Sequence, residues 1–128
     1  MPPIRVLLVD DNREFLDAVM RFLSVDKQYK IIGHTLSGRE ALDQIGQLRP
    51  DLVLLDLAMP DINGLEITRQ VKAMPEAPCV ILVTLYDNDE YRSAAKAVQA
   101  DGYITKSDLG TQLLPLINSL IVHQQISL

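Results

Sequence analysis

Side chains that could do chemistry stand at the ends of apolar segments of the chain. Asp10 and Asp11 follow the first apolar run, Asp56 ends the third, Thr84 ends the fourth, and Lys106 follows the fifth. If these runs are parallel strands of one sheet, their carboxyl ends lie at the same edge. We therefore expect three carboxylates, one hydroxyl and one ammonium to share a single shallow cleft.

This set of groups suits a phosphoryl group held beside a metal ion. Three neighbouring acids repel one another strongly unless a cation is present, and Mg²⁺ prefers oxygen ligands. Lys106 adds a compact positive charge and Thr84 adds a hydrogen-bond donor. The alternative is that the aspartates only cap helices and close turns, which would suffice for one or two of them. The complete set favours a functional site.

Five apolar segments alternate with helix-like stretches. The predicted strands cover residues 4–9, 29–34, 51–56, 79–84 and 102–105. The first, third and fourth are apolar throughout, which indicates that both of their faces are buried in a parallel sheet covered by helices. The second and fifth are less uniformly apolar, so we expect them nearer the edges of the sheet.

The helix signals lie between these strands. Asn12 is a plausible cap for the first helix, and Ser37 opens a capping box for the second. The third helix is predicted over 65–72, and the fourth over 89–98 as a lightly held, alanine-rich helix. The last helix is predicted to begin at about Thr111. Pro115 is tolerated in this helix only if it lies close to the helix start.

The alternation predicts one doubly wound α/β domain over residues 1–128, with its core at about 4–122. In such sheets the functional site lies at the carboxyl edge, where the strand order reverses. We find no internal repeat, linker or low-complexity segment in the sequence.

Composition excludes several other classes. The 128 residues are 48% hydrophobic and carry a net charge of −5, with twelve Asp among seventeen acids. The apolar runs of four or five residues are far shorter than the ~20 needed to span a bilayer. The single cysteine, Cys79, is expected to be a small buried hydrophobe in a reducing compartment. With a pI near 4.8 and no signal-peptide pattern, we expect a soluble cytoplasmic domain that contacts neither nucleic acid nor membrane.

The sequence resembles the receiver domain of two-component response regulators, the CheY-like family. The resemblance covers about residues 4 to 122 and is carried by a specific ordered set of motifs. These are Val9-Asp10-Asp11-Asn12, the segment from Asp56 to Gly64 with its Met59-Pro60, Val83-Thr84, and the segment from Ala100 to Lys106. The resemblance implies a flavodoxin-like five-stranded parallel sheet of order 2-1-3-4-5, with helices on both faces.

It also implies roles for individual residues. Asp56 would be the phosphoacceptor, taking a phosphoryl group from a sensor histidine kinase or a phosphotransfer protein. Asp11, Asp56 and the backbone carbonyl of Ala58 would bind Mg²⁺, with Asp10 helping through a water. Lys106 would pair with one phosphoryl oxygen and Thr84 with another. The chain would be no enzyme in its own right, but a phosphoacceptor that assists its own phosphotransfer and dephosphorylation.

The resemblance further implies a switch between Thr84 and an aromatic side chain on strand 5, which is Tyr103 here. Thr84 would move toward the phosphoryl group and Tyr103 would rotate inward. Helix 4, strand 5 and helix 5 would form the output face, and a second apolar set on helix 5 (Leu114, Ile121 and Val122) predicts weak homodimerisation there. The alternative for that set is packing against an output domain.

Two other functions compete with this interpretation. A phosphatase of the haloacid dehalogenase type also uses an Asp on such a sheet, but the position of its second acid holds Ala58 here. A pseudo-receiver that serves only for interaction would not need the complete set of Asp56, Thr84 and Lys106. The sequence names no kinase, stimulus or output. It would be a stand-alone receiver or one cut from a longer regulator, with transcription regulation as a possible output.

Overall fold

The computed structural model describes residues 2–123 and 126. Five strands form one all-parallel sheet in the order β2-β1-β3-β4-β5, which is the order that the family resemblance implied. The strands are β1 (Ile4–Val9), β2 (Tyr29–Thr35), β3 (Leu52–Asp56), β4 (Cys79–Thr84) and β5 (Gly102–Thr105). The helices are α1 (Arg13–Ser24), α2 (Gly38–Leu48), α3 (Gly64–Lys72), α4 (Asp89–Ala97) and α5 (Leu109–Val122), and a short 3₁₀ turn (Lys106–Asp108) precedes α5.

The three central strands are buried on both faces. Every residue of β3 and β4 is buried, and so is all of β1 except half-buried Arg5. Helices α1 and α5 cover one face of the sheet, while α2, α3 and α4 cover the other. This explains the continuous apolar runs, because neither face of these strands meets water. The predicted edge position of β2 and β5 is confirmed.

Side-chain caps fix where the helices begin. Asn12 Oδ1 accepts a hydrogen bond from the backbone N–H of Phe15 at 3.1 Å, and Ser37 Oγ accepts one from Glu40 at 3.3 Å. Both side chains therefore act as the predicted N-caps, but the reciprocal half of the capping box is replaced. The N–H of Ser37 donates to Thr35 Oγ1 at 3.1 Å, and Glu40 Oε1 accepts from Gln44 Nε2 at 2.8 Å. Asp61 adds a second cap to α2 from a distant loop, because its carboxylate accepts bonds from Ser37 Oγ and from the N–H groups of Gly38 and Arg39 at 3.0–3.1 Å.

Only the start of the last helix departs clearly from expectation. Helix α5 begins at Leu109 rather than near Thr111, because Leu109 is itself buried in the core. Pro115 therefore lies in the second turn of the helix, six residues after its start. It cannot donate to the carbonyl of Thr111, but both residues are exposed, so that carbonyl is on the solvent side of the helix.

The second apolar set of α5 is only partly a surface feature. Leu114 and Ile121 are half-buried against the core, whereas Val122 is 76% exposed. Helix α4 is lightly held, as predicted, because Ala95 is its one buried residue. Within residues 2–123 and 126, no helix has the length and apolarity needed to cross a membrane.

The cap by Asp61 gives a pH-dependent stability. Its three donors lower the pKa of Asp61 to about 2, whereas the unfolded chain has a pKa of about 3.9 there. The carboxylate therefore stabilises the fold above pH ~4, and this contribution is lost as the pH falls toward ~2. We expect Asp61→Asn to lower the Tm most at pH 5–7, with the difference from wild type shrinking as the pH falls to 3.

Thermal denaturation monitored by circular dichroism at pH 3 to 7 measures this difference. The control is Asp43→Asn, which changes an exposed acid on α2 and should leave the Tm nearly unchanged. A Tm difference for Asp61→Asn that stays constant between pH 6 and 3 would contradict the cap.

Candidate functional site

The predicted site residues come together at the carboxyl edge of the sheet. Strands β1 and β3 are neighbours, with Val9 opposite Leu55, and the chain order reverses between them. Asp56 lies opposite Val83, and Thr84 lies opposite Thr105 on the next strand. Parallel pairing thus places the ends of four strands side by side, where a crevice forms at the reversal of strand order.

Three carboxylates form an acidic cluster at this point, made of Asp10, Asp11 and Asp56. One oxygen of each lies within 4.8 Å of the others. Asp10 and Asp56 are only 2% and 5% exposed, whereas Asp11 is exposed to solvent. Two of the three carboxylates are therefore removed from water, where their mutual repulsion is least screened.

Lys106 supplies the positive charge next to the cluster. Its Nζ lies 2.8 Å from Asp10 Oδ2, and the Lys106 side chain is 12% exposed. Asp10 Oδ1 accepts a hydrogen bond from the backbone N–H of Asn12 at 2.8 Å. Asp10 Oδ2 has the ion pair but no hydrogen bond of good geometry in the described part of the chain, so a buried oxygen keeps acceptor capacity.

Asp56 is a strongly perturbed acid. Burial, followed by the charge of Asp10, raises its pKa to about 7, against the opposing effects of Lys106 and of a hydrogen bond from Ala58. That bond joins the backbone N–H of Ala58 to Asp56 Oδ1 over 3.3 Å. A carboxyl group with such a pKa in a cleft is a typical feature of functional sites.

The loop after Asp56 is held by backbone contacts. The N–H of Leu57 donates to the carbonyl of Val83 at 2.9 Å, and the N–H of Gly64 donates to the carbonyl of Leu57 at 2.7 Å. A Cβ at Gly64 would lie 2.8 Å from Leu57 Cα, so only glycine allows α3 to begin this close to the loop.

Thr84 lies in the site, but Tyr103 does not. Thr84 is buried and lines the same surface pocket as Asp11, Asp56, Ala58 and Lys106.

Tyr103 is half-buried beside α4. Its ring lies 4.8 Å from the guanidinium of Arg92, and its hydroxyl donates to the carbonyl of Tyr86 at 3.1 Å. The N–H of Tyr86 in turn faces Thr84 Oγ1 at 3.4 Å, so Thr84 and Tyr103 are linked through the backbone of Tyr86.

Two neighbours of the site were missed by the sequence analysis. The ring of Phe15 lies 4.4 Å from Lys106 Nζ, and Arg92 covers the ring of Tyr103. Phe15 fitted the apolar stripe of α1 and Arg92 the polar surface of α4, so neither stood out. The position of Phe15 could have been predicted from its spacing. It lies three residues after the cap Asn12, and therefore in the first turn of α1, next to Asp10 and Asp11.

Cys79 is not part of the site. It lies at the opposite end of β4, is 2% exposed, and burial raises the pKa of its thiol to about 12. The thiol therefore stays protonated at neutral pH. Its expected place as a small buried side chain in a strand is confirmed.

Comparison with known sequences shows the family of this chain. Residues 6–118 match the family described as response regulator receiver domain. The chain belongs to this family, which makes it a receiver domain of the response regulators of two-component systems.

Individual relatives agree with this. A response regulator protein VraR from Staphylococcus saprophyticus is 32% identical over 126 residues, covering 97% of this chain and 59% of that protein. A protein-glutamate methylesterase/protein-glutamine glutaminase from Nocardioides is 33% identical, covering 99% of this chain and 38% of that protein. The chain thus spans about half the length, or less, of these curated relatives.

Solved structures share the fold. The receiver domain of the putative response regulator NarL from Mycobacterium tuberculosis has a TM-score of 0.85 at 26% identity, over 94% of this chain and 95% of that one. A CheY-like receiver domain protein from Methanospirillum hungatei has a TM-score of 0.85 at 27% identity, over 96% and 97% of the two chains.

The acidic cluster should cost stability in the absence of metal. Replacing Asp56 with Asn removes one buried charge while the amide oxygen can still accept the bond from Ala58. We expect Asp56→Asn to raise the free energy of unfolding by about 1–2 kcal/mol in EDTA at pH 8, or several degrees in Tm.

Thermal or urea unfolding measures this change. Asp11→Asn removes an exposed member of the same cluster and should therefore stabilise the protein less than Asp56→Asn. A lower stability for Asp56→Asn than for wild type would show that repulsion does not dominate at this site.

Proposed function

We propose that this receiver domain accepts a phosphoryl group on Asp56 from a phosphohistidine of a sensor histidine kinase or a phosphotransfer protein. The observation that carries the proposal is the cluster of Asp10, Asp11 and Asp56 with Lys106 beside it at the switch point of the sheet. Asp56 stands at the end of the central strand β3, so it is the acid with neighbours on both sides.

The residues of the cluster fit Mg²⁺. Asp10 Oδ2 is buried with acceptor capacity to spare, Asp11 is open to solvent, and all the donors are hard oxygen atoms. In the proposal Asp11, Asp56 and the backbone carbonyl of Ala58 hold the ion, and Asp10 helps through a water. The ion would supply charge neutralisation between the acids and the incoming phosphoryl oxygens.

The protein residues would act mainly by position and charge. An Asp56 carboxylate oxygen forms the new P–O bond while the P–N bond of the phosphohistidine breaks, and the electron pair leaves with the imidazole nitrogen. Lys106 balances charge on one phosphoryl oxygen, and the Thr84 hydroxyl donates to another. Phosphoryl transfer needs this kind of neutralisation more than it needs protein acid–base groups.

The output of the phosphorylated state is proposed from the linkage between Thr84, Tyr86 and Tyr103. If the Thr84 hydroxyl turns to a phosphoryl oxygen, the N–H of Tyr86 loses its 3.4 Å contact, and the carbonyl of Tyr86 that holds Tyr103 can shift with it. Tyr103 would then leave Arg92 and rotate inward. The face formed by α4, β5 and α5 would change, because Ala95 is the one buried residue of α4, against three or four in each of the other helices.

The names of the relatives describe different activities, because one is a methylesterase and another is a transcriptional regulatory protein, YdfI from Bacillus subtilis. YdfI is 32% identical to this chain, covering 91% of this chain and 54% of that protein. For this chain we propose what these outputs have in common, the control of an output partner or output domain by the phosphorylated face. We also propose cytoplasmic action as a single receiver unit over residues 1–128, as expected for partners of sensor kinases.

Labelling with acetyl phosphate tests the phosphoacceptor. We expect wild type to be labelled on a phosphoprotein gel in Mg²⁺ and not in EDTA, and Asp56→Asn not to be labelled at all. Lys106→Met should slow labelling by about 100-fold, because it removes a charge that stabilises the transferring group. The matched control Lys30→Met changes an exposed lysine on the far edge strand and should label at the wild-type rate.

The labelling experiment, together with an assay for phosphate release from a phosphomonoester, distinguishes the alternatives. No labelling of wild type would favour a pseudo-receiver that serves only for interaction. Continuous release of inorganic phosphate from a phosphomonoester, without label on Asp56, would favour a phosphatase. Labelling that persists in Asp56→Asn would remove Asp56 as the phosphoacceptor.

Weak homodimerisation through α4, β5 and α5 is the second proposal for this face. We expect sedimentation to show a larger dimer fraction when beryllofluoride and Mg²⁺ are added to wild type, and no such increase for Asp56→Asn. Val122→Glu should weaken the dimer about tenfold, because a charge would be buried in an apolar contact. Val25→Glu is the matched control, an equally exposed valine at the end of α1.

Sedimentation that shows only monomer with beryllofluoride at high protein concentration would contradict the dimer. Equal effects of Val122→Glu and Val25→Glu on the dimer would show that the dimer contact does not involve Val122 of α5.

A further inference from the structure

The Lys106 ammonium lies between two different partners. On one side Nζ lies 2.8 Å from Asp10 Oδ2, and on the other it lies 4.4 Å from the centre of the Phe15 ring. The side chain is 12% exposed, so little water competes for this cation. An aromatic face attracts a cation within about 6 Å, and the attraction increases when the cation is desolvated.

These residues form a closed circuit around the start of α1. Asp10 Oδ1 accepts from the N–H of Asn12 at 2.8 Å, and Asn12 Oδ1 accepts from the N–H of Phe15 at 3.1 Å. The ring of Phe15 contacts the Lys106 ammonium, and this ammonium forms the ion pair with the other carboxylate oxygen of Asp10, Oδ2. The cap that starts the helix therefore also fixes the ring relative to the ammonium.

We propose that Phe15 is a positioning residue for Lys106. Its ring covers one side of the ammonium, excludes water there, and leaves the N–H groups to point at the acidic cluster. An aliphatic side chain could fill the same space, but it would offer no negative face to the cation. The ammonium would then have a wider range of positions, and charge neutralisation at Asp56 would be less well preorganised.

The effect of Phe15 on the rate of phosphoryl transfer rests on the proposed function. The contact between Phe15 and Lys106 can be tested without phosphorylation. The chain has two phenylalanines, Phe15 and Phe22, and both are partly buried against the same core. Phe22→Leu is therefore a matched control for the loss of a ring from α1. Phe15→Leu removes the ring that faces Lys106, and Phe15→Tyr keeps an aromatic face.

The first measurement is the proton NMR spectrum of the Lys106 ε-methylene group in metal-free protein. A methylene next to an ammonium above a ring should be shifted upfield by the ring current. We expect that shift in wild type, Phe15→Tyr and Phe22→Leu, and its loss in Phe15→Leu. A Lys106 signal that is the same in wild type and Phe15→Leu would overturn the contact.

The second measurement is the rate of Mg²⁺-dependent labelling by acetyl phosphate, together with the Kd for Mg²⁺. We expect Phe15→Leu to label about three- to ten-fold more slowly, Phe15→Tyr to restore the rate to within about two-fold, and the Mg²⁺ Kd to stay unchanged in both. Phe22→Leu should label at the wild-type rate.

Each failure has a separate signature. Absence of labelling in wild type would overturn the proposed function, while the ring-current shift would still report on the contact. Normal labelling of Phe15→Leu, or equal slowing of Phe15→Leu and Phe15→Tyr, would overturn the positioning role alone. So would a weakened Mg²⁺ affinity in Phe15→Leu, because the substitution would then have disturbed the acidic cluster itself.

Discussion

Repulsion among Asp10, Asp11 and Asp56 is the constraint that the rest of this structure must offset. Three carboxylates within 4.8 Å, two of them buried, lower stability unless positive charge compensates them. Among the described residues, the ion pair that supplies this compensation is that of Lys106 with Asp10, at 2.8 Å. Burial, and after it the charge of Asp10, raises the pKa of Asp56 to about 7. The acidic charge that remains uncompensated is the reason for proposing a cation here.

A cluster of this kind can persist because the sheet beneath it is rigid. Strands β1, β3 and β4 bury nearly all of their residues between two helical layers, so the burial of apolar area far from the site offsets the local cost. At the opposite end of the sheet, Lys72 and Asp101 form an ion pair of 2.6 Å between side chains that are 16% and 11% exposed, and Asp101 also accepts from the N–H of Val80 at 2.8 Å. The base of β4 and β5 is therefore tied to the end of α3.

The sequence was most informative where a single physical rule governs the structure. Unbroken apolar runs predicted the buried strands, and side-chain caps such as Asn12 and Ser37 predicted helix starts, because both depend on local patterns. The start of α5 was missed because burial of Leu109 is a tertiary effect. The position of Tyr103 and the contact of Phe15 with Lys106 could not be predicted either, because side-chain orientation depends on which residues of other elements lie within reach.

The two ends of strands β4 and β5 are held by different contacts, which matters for the conformational change proposed for the phosphorylated state. The base of β4 and β5 is held by the Lys72–Asp101 pair, so displacement there would break a partly buried ion pair and a hydrogen bond. At the carboxyl ends of the same strands, α4 buries only Ala95, and Tyr103 is held by one 3.1 Å hydrogen bond and one cation–π contact. Contacts of this kind contribute about 1 kcal/mol each, whereas the base of the sheet holds an ion pair that is largely shielded from water together with a hydrogen bond to its carboxylate. A phosphoryl group that draws Thr84 toward Asp56 would therefore move the segment from Tyr86 through α4, while the base of the sheet stays fixed.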